Sequence, residues 1–361
     1  MTVSHLVRRG VEAISTMNEG DIPEFKIEVG SPWLAGLLLA TVIAFGYAIF
    51  SIEYTYGLLV PTLAAVEDSN PEFYVRVDSD PINKKSVDST ELEIEVETAP
   101  PRPITSKLRT TIRHLRARAG RWSRFRGFSM FLTILIGRSL LASLIPMSPS
   151  SLFGQFFIGM ASDILLANLH VAWVHIAISE PSPKRFYKRI PAFGSLAKIV
   201  PAAAFENLLS NGAFYVSMLV IKQAHGLGEL DSLRSGDNVS PQVFRNACNM
   251  VSISAFIGWL ASIPARVIFV RVAASMLPDE DEAIIPFDRS YGGKVVPGIV
   301  GGGVLSISDA WKTFDRAGWK RYIKTIVKAI GLQFAVTTFF SLVLFAEILG
   351  GALVYKTGDK N

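Results

Sequence analysis

Long apolar runs, parted by charged stretches, recur from Trp33 almost to the C-terminal end. A helix that crosses a bilayer needs about 20 largely apolar residues, because each backbone N–H and C=O in lipid must find its partner within the segment. Six stretches qualify: Trp33–Val66, Phe128–Ile145, Leu152–Ile178, Phe193–Ile221, Val243–Leu277 and Ile326–Tyr355. Arg138 interrupts the second, and Arg266 with Arg271 ends the fifth. The pattern predicts an all-α bundle of six transmembrane helices over residues 33–355, between an N-terminal tail (1–32) and a C-terminal tail (356–361).

An insert, residues 67–126, separates the first two spans. Its first half, Glu67 to Pro103, is acidic and carries Pro71, Pro81, Pro100, Pro101 and Pro103, which predicts a loosely held loop. In the second half Leu108, Ile112, Leu115 and Ala119 recur at helical spacing, with Lys107, Arg109, Arg113, Arg116 and Arg118 on the remaining faces. That spacing predicts a basic amphipathic helix suited to a headgroup surface, with anionic lipid as a partner. A solvated helix joining two spans would carry the same pattern.

Composition agrees with a lipid-solvated chain. Of 361 residues 50% are apolar and 19% charged, where soluble chains carry about 25%, and the mean hydropathy is +0.35. The net charge, 36 basic against 31 acidic residues or +5, is too small and scattered to suggest nucleic acid. Cys248 is alone, which excludes an intramolecular disulfide and a cysteine zinc cluster; inside a predicted span, it is expected to pack as a small apolar residue. The N-terminal tail lacks an apolar core of signal-peptide length, and Glu12, Glu19 and Asp21 weaken a presequence reading of Arg8 and Arg9.

Charge asymmetry between the connections predicts a topology. Nine basic residues and no acid lie between Arg102 and Arg126. The third connection holds Lys184, Arg185, Lys188 and Arg189, and the fifth ends with Lys312, Arg316, Lys320, Arg321 and Lys324. The second, Pro146 to Ser151, has no basic residue, and the fourth has only Lys222 and Arg234 against Glu229, Asp231 and Asp237. Odd connections are therefore expected on one side and both termini on the other.

The spans pair as three pseudo-repeats, 33–146, 151–240 and 241–355, each a helix, a basic connection and a second helix. The first connection reads TTIRHLRARAGRWSRFRG (Thr110 to Gly127) and the third DAWKTFDRAGWKRYIK (Asp309 to Lys324). In both, a short amphipathic helix is expected to end at a glycine, Gly120 or Gly318, before an aromatic and basic residues. The second connection keeps only FYKRIP (Phe186 to Pro191). Small residues recur every fourth position at Gly36, Ala40, Ala44 and Ala48, and at Ser254, Gly258 and Ser262, as helices need for close approach in lipid.

In this layout the chain resembles the mitochondrial carrier family, whose three repeats each join two transmembrane helices through a short amphipathic helix on the matrix side. Gly120 with Phe125, Arg126 and Gly127 matches the family's glycine and aromatic-basic-glycine pattern, and Gly318 with Tyr322 matches it in part. The family's odd helices carry Pro-x-[Asp/Glu]-x-x-[Lys/Arg], whose ion pairs close the pore on the matrix side. Here Pro264 is followed by Arg266 and Phe269 in those places, Pro61 by neither charge, and the third span has no proline before Pro181. The family's closing network is therefore absent as the family builds it. The resemblance implies residence in a mitochondrial membrane and transport by alternating access. Family members degraded in this way include outer-membrane adaptors, fusion factors and protein insertases.

Ionisable residues inside a span cost about 2.5–3.5 kcal/mol each at a helix centre, so each is a candidate for function. Asp163, Asn168, His170 and His175 lie in the third span, Arg138 in the second, Glu206 in the fourth and Arg266 in the fifth. At 100° per residue Asp163 and His170 fall within about 20° of each other, and Asn168 with His175 forms a second stripe about 140° away. Together they predict a polar wedge facing the bundle interior: a cavity for a small anionic solute, with Asp163 and Glu206 as partners of Arg138 and Arg266. The same residues would also serve as structural ion pairs and interhelical hydrogen bonds. A metal on His170 and His175 is disfavoured, since their i, i+5 spacing points the rings apart. Glu53 and Glu347 are expected near the interface on the side of the termini, and Arg271 is expected to snorkel out on the opposite side.

Sequence signals for catalysis are lacking. PGIVGGGV (Pro297 to Val304) has no GK[ST] and reads as a lead into a helix begun by Ser306 and capped through Asp309. Asn238-Val239-Ser240 is a sequon on the side of the termini. The expectation is a carrier-like transporter rather than an enzyme, with no cofactor and no metal; the competing expectation is a membrane adaptor, scaffold or insertase that works through residues 67–126.

Overall fold

The computed structural model describes residues 32–69, 103–144, 152–225, 241–296 and 303–358. Most of the acidic half of the insert, the N-terminal tail, the sequon and most of the glycine-rich run lie outside them. Most of the described residues are helical, and the single β-type contact among them is a bridge between Ser179 and Ala283.

In chain order the helices are α1 (Pro32–Ile52), a π-helical stretch (Glu53–Leu59) and α2 (Val60–Val66); α3 (Leu108–Ala119); α4 (Phe128–Leu144); α5 (Leu152–Leu165) and α6 (Ala167–Ile178); α7 (Leu196–His225); α8 (Pro241–Ala274); α9 (Ile307–Lys312); and α10 (Arg316–Gly358). Five stretches among them are long and apolar enough to cross a bilayer, or six if α5 and α6 together make one span, as a multi-pass membrane protein requires.

Two of these spans depart from straight α-helix. In the first, the N–H of Val60 donates to the oxygen of Thr55, five residues back. The widened turn lies just before Pro61, whose ring would clash with the carbonyl four residues earlier in an α-helix. In the third, expected as one rod over 152–178, the axis bends by 56° at Leu166, which sits at φ −92°, ψ 6°. No proline or glycine marks the bend. The Leu166 carbonyl is shared instead between the N–H groups of Leu169 and His170 and the His170 ring, 3.2 Å away, a side chain competing for the helical ladder.

The chain divides into two units, Met1–Ile49 with Phe334–Asn361, and Phe50–Gln333. In the first, α1 and α10 run antiparallel. Phe45 stacks on Phe340 with ring centres 4.8 Å apart, and Thr41 Oγ1 donates to Glu347 Oε1 at 2.7 Å. A Cβ at Gly351 would overlap the Leu34 side chain, so glycine is what lets the backbones approach there. Gly36, in the small-residue row of α1, has no described neighbour within 4 Å of where its Cβ would be.

In the second unit the core lies towards the basic connections. It is built from Leu59 to Val66, the α6 residues Ala167 to Ile178, and Val267 to Ala274 of α8, with Ile112 and Leu115 of α3 against them. These helix ends are mostly apolar and rich in alanine and valine, a composition that lets backbones close up, with Asn168, His175 and Arg271 as the buried polar exceptions. Alongside, α7 packs along α8. A Cβ at Gly258 would stand 2.8 Å from the Ser210 carbonyl, so the small row of the fifth span is an interface.

The three odd connections are tied to one another. The N–H of Glu180 donates to Glu282 O at 2.7 Å, that of Ile284 to Ile178 O at 2.8 Å and that of Asp68 to Pro286 O at 3.3 Å. Ion pairs add Arg118 to Glu180 and Lys184 to Glu280, both at 2.7 Å, and Arg189 to Asp281 at 3.1 Å, the last pair buried. The acidic run Asp279 to Glu282 thus meets the basic third connection, a pairing invisible along the chain.

Two short-helix expectations resolve differently. Helix α3 ends at Gly120, whose φ of +77° suits glycine alone. Helix α9 starts as expected, with Ser306 Oγ accepting from the Asp309 N–H at 3.1 Å, but it ends at Lys312, and Gly318 lies inside α10. Asp315 caps α10 there, its carboxylate accepting from the Gly318 N–H at 2.8 Å.

Candidate functional site: a polar cavity among four spans

The stripe Glu206-Asn207-Leu208-Leu209-Ser210-Asn211 in α7 is the local origin of the site. Positions four apart stack on one helix face, so Glu206 with Ser210 and Asn207 with Asn211 make a polar band in an otherwise apolar span. Facing it are Arg138 of α4, Asp163 of α5, His170 of α6 and Arg266 of α8. Together with Ala203 and Phe269 these residues line a half-open cavity of about 210 Å³.

Two ion pairs bridge neighbouring spans. Arg138 Nη1 lies 3.2 Å from Asp163 Oδ1, and Arg266 Nε lies 3.2 Å from Glu206 Oε1. The arginine side chains are 47% and 41% exposed, the carboxylates 18% and 20%. The acids therefore form the back of the cavity and the guanidinium groups its accessible front, each keeping donors beyond the one that faces its acid. Pairing offsets most of the cost of holding four charges among apolar helices. Asn207 Nδ2 donates to Asp163 Oδ2, and the His170 ring meets Phe269 edge-on at 6.4 Å.

Five of the residues singled out from sequence, Arg138, Asp163, His170, Glu206 and Arg266, thus line one cavity. Asn168 and His175 do not. Asn168 turns its amide towards the carbonyls of Pro191 and Ala192, at 3.5 and 3.4 Å, and His175 Nε2 contacts Ala273 O at 2.8 Å. Their stripe, on the other side of the wheel, faces the protein core instead. Asn207, Ser210 and Asn211 went unnoticed in the sequence, although polar residues at i and i+4 in a span were there to be read.

Arg271 corrects a second expectation. It does not snorkel: it is buried, donating to Ala65 O and Ala310 O at 3.2 Å each and to Thr313 Oγ1 at 2.8 Å. The guanidinium is held between the rings of Tyr291 and Phe314, and the carbonyl ends of two helices supply its partners. Cys248, expected inside the packing, is exposed on α8.

Beside that end, the Glu67 carboxylate accepts from the N–H groups of Ile104 and Thr105, at 2.6 and 3.0 Å, and from the Thr105 hydroxyl. Arg321 Nε stands 3.5 Å from it. Burial pushes the Glu67 carboxyl above its ordinary range, against the opposing pull of Arg321 and these hydrogen bonds.

On α3, Lys107, Arg109, Arg113 and Arg116 are exposed while Ile112 and Leu115 are buried. The apolar face of this helix is therefore spent on the protein core and is not free to enter a headgroup layer. What α3 presents outwards is charge, followed by Trp122, which is 78% exposed. Comparison of the chain with models of known protein families and with curated proteins finds no match in either.

Proposed function

We propose that this chain is a carrier-type transporter, resident in a mitochondrial membrane, that moves a small solute bearing an anionic group by alternating access. The observation that carries this reading is the polar cavity, with two half-exposed arginines held by shielded carboxylates from four separate spans. Charges are costly in lipid and are kept where they meet a solute or a pathway. In this reading the packed ends of α2, α6 and α8 stand where the mitochondrial carriers have their closing ion pairs. Release on the basic side then requires those ends to part, including the contact of Arg271 with Ala65.

A second reading rests on α3. Its exposed basic face and Trp122 favour a membrane adaptor or insertase, docked on anionic lipid or on an acidic partner. Solute exchange by the purified chain in liposomes separates the two. Under the transport reading Arg138→Gln, Asp163→Asn and Arg266→Gln each abolish exchange in folded protein, while replacing Lys107, Arg109, Arg113 and Arg116 by glutamine leaves it. The adaptor reading expects no exchange at all, and loss of its own function with the four α3 changes.

A further inference from the structure

We propose that the solute is a small zwitterion, an amino acid or a molecule of that kind, whose ammonium group docks at Asp163 and Asn207 while its carboxylate docks at the arginines. This rests on the transport reading and names the chemistry of the same cavity.

The first ground is an unfilled acceptor pair. Asn207 Nδ2 engages Asp163 Oδ2, yet Asp163 Oδ1 and Asn207 Oδ1 both lack a hydrogen-bond partner among the described residues. Arg138 Nη1 is 3.2 Å from Asp163 Oδ1 but off the line of a hydrogen bond. Asn207 is almost wholly buried, and a buried polar atom without a partner is a cost that a bound donor removes. An ammonium group brings three donors and a positive charge.

The second ground is charge balance. The cavity holds two guanidinium groups and two carboxylates. An anion that drew Arg138 away from Asp163 would leave that carboxylate unpaired in a poorly solvated place, a heavy cost. A zwitterion replaces both members of the pair at once and keeps the site neutral. Arg138 and Asn211 both line the cavity, and Arg138 Nη2 and Asn211 Nδ2 approach the same side of Gly159, so two further donors stand near one another for a carboxylate.

The third ground is size. A cavity of about 210 Å³ is at the small end of ligand sites, on the scale of an amino acid rather than a nucleotide.

The test uses the full chain in liposomes with matched probes: labelled glycine, alanine and serine against glycolate, lactate and glycerate, which replace the ammonium by a hydroxyl. Saturable uptake of at least one amino acid, at least ~10-fold faster than its hydroxy acid, is expected, because a site built for a polar group rejects the analogue lacking it. Asp163→Asn, checked for folding by thermal unfolding, should lose saturable uptake of the amino acid. Uptake of a hydroxy acid equal to or faster than that of its amino acid overturns the zwitterion and leaves the transport reading standing. Absence of saturable uptake for all six probes also overturns the zwitterion; the transport reading falls with it if the vesicles exchange no other small carboxylate or phosphate.

Discussion

The guanidinium of Arg271 donates through Nη1 to the main-chain oxygen of Ala65, 3.2 Å away and 206 residues earlier in the chain. Nε reaches Ala310 O and Nη2 the Thr313 hydroxyl, while the rings of Tyr291 and Phe314 lie 4.8 and 5.1 Å from the guanidinium carbon. Ala65 and Ala310 sit in the last turns of α2 and α9, where helix dipoles favour a cation. Arg271→Met should therefore lower stability by about 2–4 kcal/mol, since it strands carbonyls that a charged donor satisfied. Arg271→Lys should recover little of this, because a single ammonium cannot span three separated acceptors. Thermal unfolding in detergent measures both.

Glu67 gives a pH dependence with a definite sign. Its carboxyl is raised above the ordinary value of 4.5 in the folded chain, chiefly by burial. Between that value and the raised one the folded state holds a proton that the unfolded state has lost, so stability falls as pH rises through this window. Glu67→Gln removes the titration. The difference in unfolding temperature between wild type and variant should shift in favour of the variant as pH rises from about 5 to about 7. A constant difference would show that Arg321 and the Thr105 hydrogen bonds outweigh burial.

Two glycines in similar small-residue rows should respond oppositely to alanine. At Gly258 a Cβ would stand 2.8 Å from the Ser210 carbonyl and 2.9 Å from Phe214 Cβ, so Gly258→Ala must push α7 from α8 and should cost about 1–3 kcal/mol. At Gly36 no described residue lies within 4 Å of an added Cβ, and Gly36→Ala should gain up to about 1 kcal/mol from helix propensity. Unfolding of the two variants side by side decides it.

Much of the fold was legible because lipid imposes strict length and composition on a span. The helix of Leu108–Ala119 and its stop at Gly120 were readable from spacing and from a residue type with one conformational use. The wheel separated Asp163 and His170 from Asn168 and His175, and the structure sends the first two to the cavity and the second two to the core. What could not be read depends on contacts distant in sequence. Arg271 looked like a residue at a span's edge until Ala65 and Ala310 were brought to it. Glu67 meets Arg321 and Asp281 meets Arg189 only once the connections assemble. The bend at Leu166 carries no proline or glycine to announce it, and the break at Lys312 was hidden because a glycine farther on, Gly318, offered a more familiar stop.

Access to the cavity tests the account most directly. Cys248 is the only cysteine, so Ser210→Cys in a Cys248→Ser chain places one thiol on the cavity wall. In sealed vesicles an impermeant thiol reagent applied to either face should label this cysteine, and a transported solute should slow the reaction from both. Labelling confined to one face, with solute present or absent, would contradict alternating access and leave the polar cavity as a fixed part of the bundle.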